Sequence, residues 1–220
     1  MARLARVVVP GTPHHLVQRG NRNQETFFCD EDYQTYIDLM SEWCAKCKVQ
    51  VLAYCLMPDH VQMILVPKTD DGLARAVGEA HRRYTRYIND REGWSGYLWQ
   101  GRFASFPMDN AHVLPAAAYV ERTPVGAGLA RSARQYKWSS AKAHLKGEDD
   151  QLVKVKPLLK KCDDWADLIK GKDDPDMVKK LQAHSSTGRP LGNKRFLDKL
   201  EDQLGRVLRP QKRGRKPKKK

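Results

Sequence analysis

Two apolar runs, Val49 to Leu56 and His60 to Val66, flank the turn-forming triplet Met57-Pro58-Asp59, and this pairing constrains the fold more than any other feature of the chain. Proline presets the backbone for a tight turn and aspartate tolerates turn conformations, so the runs predict an antiparallel hairpin. A strand repeats every two residues, which sends His60, Gln62 and Ile64 to one face and Val61, Met63 and Leu65 to the other. The apolar set can pack inward. A histidine and a glutamine, both able to hold a metal ion, then stand side by side on the remaining face.

Pro13 to Arg19 reads as a first strand, followed by the turn-rich run Gly20-Asn21-Arg22-Asn23. Asp30-Glu31-Asp32 supplies an N-cap and first-turn charge for a helix whose apolar residues Tyr33, Tyr36, Ile37, Met40, Trp43, Cys44 and Cys47 share one stripe. Asp70-Asp71-Gly72 caps a second helix with a core stripe of Leu73, Ala76, Val77, Ala80, Tyr84, Tyr87 and Ile88. Arg102 to Pro107 predicts a fourth strand. A further helix runs from about Asp109 and is expected to stop at Arg122, because Pro124 disfavours helical backbone in the residue before it. The order strand, helix, strand, strand, helix, strand predicts an α+β fold of the ferredoxin-like βαββαβ kind. Its helices cover one face of an antiparallel sheet, and the other face is expected to be free for a substrate.

Residues 1–145 therefore form the expected main domain, 146–205 a helical and irregular extension, and 206–220 a basic disordered tail. Within the extension, Leu152 to Leu159 predicts short structure and Asp163 to Lys170 a helical piece around Trp165. Lys172 to Asp176 reads as a polar linker, and Phe196, Leu197, Leu200 and Leu204 mark a short helix.

The net charge of +14 points to a polyanionic partner, and its placement is informative. Nine of the 40 basic residues lie in 206–220, where there is no acidic one; the other 31 face 26 acidic residues, a surplus of five. The tail has no apolar face for a lipid surface, so nucleic acid is expected rather than a membrane. No run approaches the roughly 20 apolar residues a membrane span requires. The apolar stretch near the N-terminus is too short for a signal peptide, which predicts a soluble cytoplasmic protein associated with the bacterial nucleoid. Five scattered cysteines predict reduced thiols; Cys44 and Cys47 read as packed core residues rather than half a zinc site, since no second pair completes four ligands.

His60, Gln62 and Tyr119 suggest a division of labour. Imidazole nitrogen and amide oxygen can together hold a hard divalent cation such as Mg2+ or Mn2+. A cation so placed polarises a phosphodiester, while a tyrosine hydroxyl attacks phosphorus and becomes covalently attached. Several ordered motifs strengthen this reading: Pro13-His14-His15 with Gln18-Arg19-Gly20-Asn21, Tyr54 to Pro67, Gly78 to Tyr84, Leu98 to Phe103 and Tyr119 to Leu129. Through these motifs the chain resembles the REP-associated tyrosine transposases, single-tyrosine members of the HUH endonuclease superfamily, over roughly residues 1–145.

The resemblance implies a ferredoxin-like domain that recognises a short DNA hairpin with nearby single-stranded nucleotides. It implies cleavage and rejoining through a 5′-phosphotyrosine with Mg2+ or Mn2+, by a monomer or homodimer. His60 matches the first histidine of the family's histidine-hydrophobe-histidine motif and Tyr119 its nucleophile. Gln62 stands in place of the second histidine, and Thr123, four residues after the nucleophile, in place of an asparagine or glutamine that assists the metal site. Pro115 inside the nucleophile's helix and Gly126 in place of an arginine are further departures. A catalytically impaired or domesticated hairpin DNA- or RNA-binding regulator on the same scaffold is the alternative reading.

DNA contact is expected from Arg19, Asn21 and Arg22 in the first loop, from the basic stripe Arg82, Arg83 and Arg86, and from Arg102. The tail adds Arg213, Arg215 and Lys216, resembling an interrupted minor-groove hook. Trp94, Tyr97 and Trp99 could stack unpaired bases. His81 is expected either to touch DNA or to bond a neighbouring helix, and one of His14 and His15 to line the substrate face.

Overall fold

A computed structural model describes residues 5–210. Its centre is a four-stranded antiparallel sheet of β1 (His14–Arg19), β2 (Val49–Met57), β3 (His60–Pro67) and β4 (Ala104–Pro107), in the order β2-β3-β1-β4. The hairpin forms as expected: Met57 pairs with His60 across the two-residue turn Pro58-Asp59. This register puts His60 at the very start of β3, opposite Arg19 at the end of β1.

The helices α1 (Asp30–Lys46) and α2 (Gly72–Glu92) pack on one face, as the ferredoxin-like order requires. Their stripes meet Leu16, Val61, Met63 and Leu65, the apolar half of the strand alternation. Asp30 is not the cap of α1. Cys29 occupies that position and the buried Asp32 carboxylate accepts from the Phe28 and Cys29 amides, so the three acidic residues fill the first turn. Arg91 of α2 pairs with the same carboxylate and ties the two helices together.

The opposite face is not left free. Helix α3 (Asn110–Gly126) crosses it over β2 and β3, laying Val113, Ala116, Ala117 and Val120 on Leu52, Ala53, Cys55 and Ile64. An apolar surface of this kind needs cover, because exposing it to water would forfeit about 25 cal/mol for every Å². Helix α3 also continues past Arg122. Pro124 is buried within it, and bonds from Ala127 N to the Thr123 carbonyl and from Leu129 N to the Pro124 carbonyl hold the last turn. Local steric bias before a proline yields here to burial and capping.

The chain returns over this second face through α4 (Ala141–Lys146), α5 (Lys156–Leu159), α6 (Trp165–Lys170) and α7 (Pro175–Thr187), and then forms α8 (Lys194–Leu204). Leu158, Trp165, Ile169, Met177, Leu181 and Leu191 share one apolar cluster with α3. The expected linker is confined to a few residues before α7, whose N-terminus is capped by Asp174 and opened by Pro175. A separate small cluster joins Val7 and Val9 to Leu200 and Leu208. No described helix is long and apolar enough to cross a membrane.

Candidate active site

Strands β1 and β3 supply the floor. Arg19 pairs with His60, Val17 with Gln62 and His15 with Ile64, so alternation turns His15, Val17, Arg19, His60 and Gln62 to the face that α3 crosses. On α3, Tyr119 and Thr123 are one turn apart and share a side of the helix. Between α3 and α7 the sheet stays open as a groove of about 480 Å³, lined by His15, Arg19, Gln62, Arg102 and Tyr119 together with Gln182, Ser185 and Ser186 of α7. Glycine is required where β1 leaves this floor: a Cβ on Gly20 would lie 2.1 Å from the Gln24 carbonyl oxygen.

Gln62 is the hub of the polar contacts. Its Nε2 donates to Thr123 Oγ1 at 3.2 Å and lies 3.4 Å from His60 Nε2. Its Oε1 accepts from His15 Nε2 at 3.2 Å. Thr123 Oγ1 in turn donates to the Tyr119 carbonyl at 3.0 Å. His60 donates from Nδ1 to the Asp59 carboxylate at 2.6 Å, which leaves its Nε2 with a lone pair directed into the site.

Electrostatics keep the site uncharged around these groups. Burial lowers the His60 pKa, Asp59 opposes the fall, and Arg19 adds to it. Burial brings His15 down to about 4 against the opposing bond to Gln62. Tyr119 is half-buried; burial and the Asp173 charge raise its hydroxyl pKa, while the Gln62 side chain and Arg19 pull it back. The phenol is therefore protonated at neutral pH, with the Arg19 charge favouring its ionised form.

No group of three or more His, Cys, Asp or Glu side chains able to hold a metal occurs among the described residues. What the site does offer is His60 Nε2, the Gln62 amide and Thr123 Oγ1 on one another. One imidazole, one hydroxyl oxygen and, with the amide turned over, the Gln62 oxygen would suit Mg2+ or Mn2+, and the Asp59 carboxylate behind His60 is the usual orienting partner of a ligating histidine. The donor set fits a hard cation.

Of the expected DNA contacts, Arg19 and Arg102 line this groove. Arg19 is exposed on its lip, and Arg102 lines both this groove and a second of about 330 Å³ that holds Arg82, Tyr97 and Trp99. Arg82, Arg83 and Arg86 do form an exposed stripe on α2, on the far face of the sheet; Glu79 and Asp90 pair with them in contacts of the solvent-exposed, weak kind. Asn21 is spent on structure, donating to the Tyr97 carbonyl at 3.3 Å, whereas Arg22 is exposed with φ at 56°.

Arg213, Arg215 and Lys216 lie outside the described residues. Trp99 is not a stacking platform: it is buried and stacks on His81 at 4.7 Å, leaving Trp94 and Tyr97 as the exposed aromatics of that loop. His81 is buried and bonds the Tyr36 hydroxyl at 2.8 Å, so it joins helices instead of touching DNA. Cys44 and Cys47 are free thiols in the core. Of the two adjacent histidines, His15 faces the groove, and His14 bonds the Thr12 carbonyl and Val9 amide on the other side. The wall formed by α7 was missing from the sequence reading, although Asp174-Pro175 followed by Met177 and Leu181 is a capped helical pattern.

A ferredoxin-like sheet with a tyrosine-bearing helix laid beside a histidine at a strand start defines a class, the single-tyrosine transposase fold. A family model described as "Transposase IS200 like" matches residues 9–123, and the chain belongs to that family. Among solved structures it is similar to the REP-associated tyrosine transposase bound to a REP hairpin, with 17% identity, a TM-score of 0.58, and coverage of 69% of this chain and 90% of that one. A second similarity is to a protein from Deinococcus radiodurans R1 assigned provisionally as a transposase, with 19% identity, a TM-score of 0.39, and coverage of 55% and 96%. No curated protein matches the chain.

Proposed function

We propose that the chain nicks and rejoins hairpin DNA bearing single-stranded flanks, with Tyr119 as nucleophile and His60, Gln62 and Thr123 as the holders of one Mg2+ or Mn2+. The observation that carries this reading is convergence: Gln62, which lines one open groove with Tyr119, contacts His60 and Thr123 and moderates Tyr119. A bound cation would supply electrostatic stabilisation of the charge that develops on the phosphodiester. Arg19 and Arg102, on the same groove, would hold the phosphates on either side of the reacting one.

The phenolic oxygen of Tyr119 loses its proton and bonds to phosphorus; the bond from phosphorus to the 3′ oxygen of the preceding nucleotide breaks, and that oxygen leaves as a protonated 3′-hydroxyl. The 5′-phosphotyrosine keeps the bond energy, so a 3′-hydroxyl from the same or another strand can reverse the step and rejoin the DNA. The similar structure that holds a REP hairpin makes a palindromic hairpin the natural first substrate.

The test is incubation of labelled hairpin DNA with Mn2+ followed by denaturing electrophoresis. Wild type should give a slow, denaturation-resistant band, and Tyr119→Phe none, with hairpin affinity held within a few-fold. Adduct formation by Tyr119→Phe would refute the assignment. Tight hairpin binding with no adduct from wild type would leave the alternative, a binding regulator, in which Gln62 and Thr123 mark lost chemistry.

A further inference from the structure

The contacts of Gln62 have a direction. Its amide nitrogen, not its oxygen, faces His60 Nε2 and Thr123 Oγ1, the two acceptors that the proposed cation would take. The NH2 group thus satisfies the lone pairs that a bound cation would need. The amide oxygen, which alone can ligate, is turned to the imidazole of His15. A cation cannot share the site with an N–H pointing at it, so loading requires the amide to turn over.

Turning the amide presents an N–H to His15 Nε2, which must then accept where it previously donated. Neutral imidazole can do either, depending on which nitrogen carries the proton. Burial keeps His15 neutral. Its Nδ1 is buried without a hydrogen-bond partner among the described residues, so moving the proton there breaks no other bond. The ring is held in place by Phe106, edge-on at 5.3 Å. Resting on the cation reading above, we propose that His15 is a positioning residue: it holds whichever end of the Gln62 amide faces away from the cation site, and its tautomer switches when the cation binds. In a chain carrying a glutamine on the strand of His60 with His15 on the neighbouring strand, this contact supplies the orientation that an amide, unlike an imidazole, does not have by itself.

The test is Mn2+ affinity of the free protein, measured by electron paramagnetic resonance. His15→Leu should weaken binding by about ten- to a hundredfold, the range for loss of an orienting partner. His15→Gln, which can accept at the same place, should stay within about threefold. In a Gln62→His background, where no amide remains to be turned, His15→Leu should change affinity by less than about threefold. Equal losses in both backgrounds, or His15→Gln as weak as His15→Leu, would overturn the inference while leaving the cation reading intact; no Mn2+ binding by wild type would overturn that reading and the inference with it. A check without substitution uses nitrogen-15 imidazole spectra of wild type: the His15 proton should sit on Nε2 without Mg2+ and on Nδ1 with it. An unchanged tautomer with Mg2+ bound would equally overturn the proposal.

Discussion

Glu121 lies two residues after Tyr119, roughly on the opposite side of α3, and is fully buried. Its Oε1 accepts from Ser140 Oγ and His144 Nδ1, both at 2.6 Å, and its Oε2 from Trp165 Nε1 at 2.9 Å. Ser140 Oγ also accepts from the Tyr54 amide at 2.9 Å, so one carboxylate joins the helix of Tyr119 to β2, α4 and α6. Glu121→Leu would leave two buried donors, His144 Nδ1 and Trp165 Nε1, without an acceptor, while Ser140 Oγ would keep only the Tyr54 carbonyl at 3.3 Å. Each such group costs about 1–3 kcal/mol, and removing one member of a buried charged network costs about 3–5 kcal/mol in all. We expect a loss of about 4 kcal/mol, a large share of the roughly 5–15 kcal/mol that stabilises a folded domain. Glu121→Gln keeps the shape and one acceptor, and should lose about 2 kcal/mol. Equilibrium urea unfolding with an unchanged slope reads both values directly. In thermal melts, a chain of this size should move by about 2–4 °C per kcal/mol, hence about 8–16 °C for Glu121→Leu. A Glu121→Leu protein within about 1 kcal/mol of wild type would refute the claim that this carboxylate anchors α3.

Burial holds His14 down at about 4 and His81 at about 3, whereas both return to about 6.5 when the chain unfolds. The unfolded chain therefore binds more protons below pH 6.5. Stability should be complete above that pH and fall as pH drops toward 4, by up to about 1.4 kcal/mol per pH unit for each histidine. His81→Gln should flatten the slope measured by urea unfolding, and an unchanged slope would contradict the burial argument. Gln62→His should lower the Mn2+ concentration needed for half-maximal cleavage; no change would place that side chain away from the cation. Arg102→Ala should weaken hairpin binding and reduce its dependence on salt by about one phosphate contact, as read from affinity between low and high ionic strength. An unaltered salt slope would remove Arg102 from the DNA path.

The hairpin was legible because two independent signals agreed, period-two alternation and the Pro58-Asp59 turn, and with it came the pairing of His60 and Gln62 on one face. The end of α3 was not legible. The rule about residues before proline is local, while Pro124 is held helical by burial and by the bond from the Leu129 amide. Helix α7 was hidden by the charge of Lys172 to Asp176, which reads as linker until Asp174 and Pro175 are recognised as cap and first helical residue. The tie between His15 and Gln62 depends on cross-strand register, two positions along the ladder, and composition carries no trace of it. His15 itself was visible as one of two adjacent histidines on opposite faces. Which of them faces the groove is decided by Leu16, the next residue along, whose burial under α1 and α2 puts His14 on its own face and His15 on the opposite one.

The central claim is that the phenol of Tyr119 becomes bonded to DNA. Wild-type protein reacted with hairpin DNA and Mn2+ can be digested with protease and nuclease and its peptides sequenced by mass spectrometry. The account predicts a nucleotide mass on the peptide spanning Tyr119, with fragment ions placing it on that residue alone. A nucleotide on any other residue, or an unmodified Tyr119 in a sample where the DNA has been cut, would contradict it.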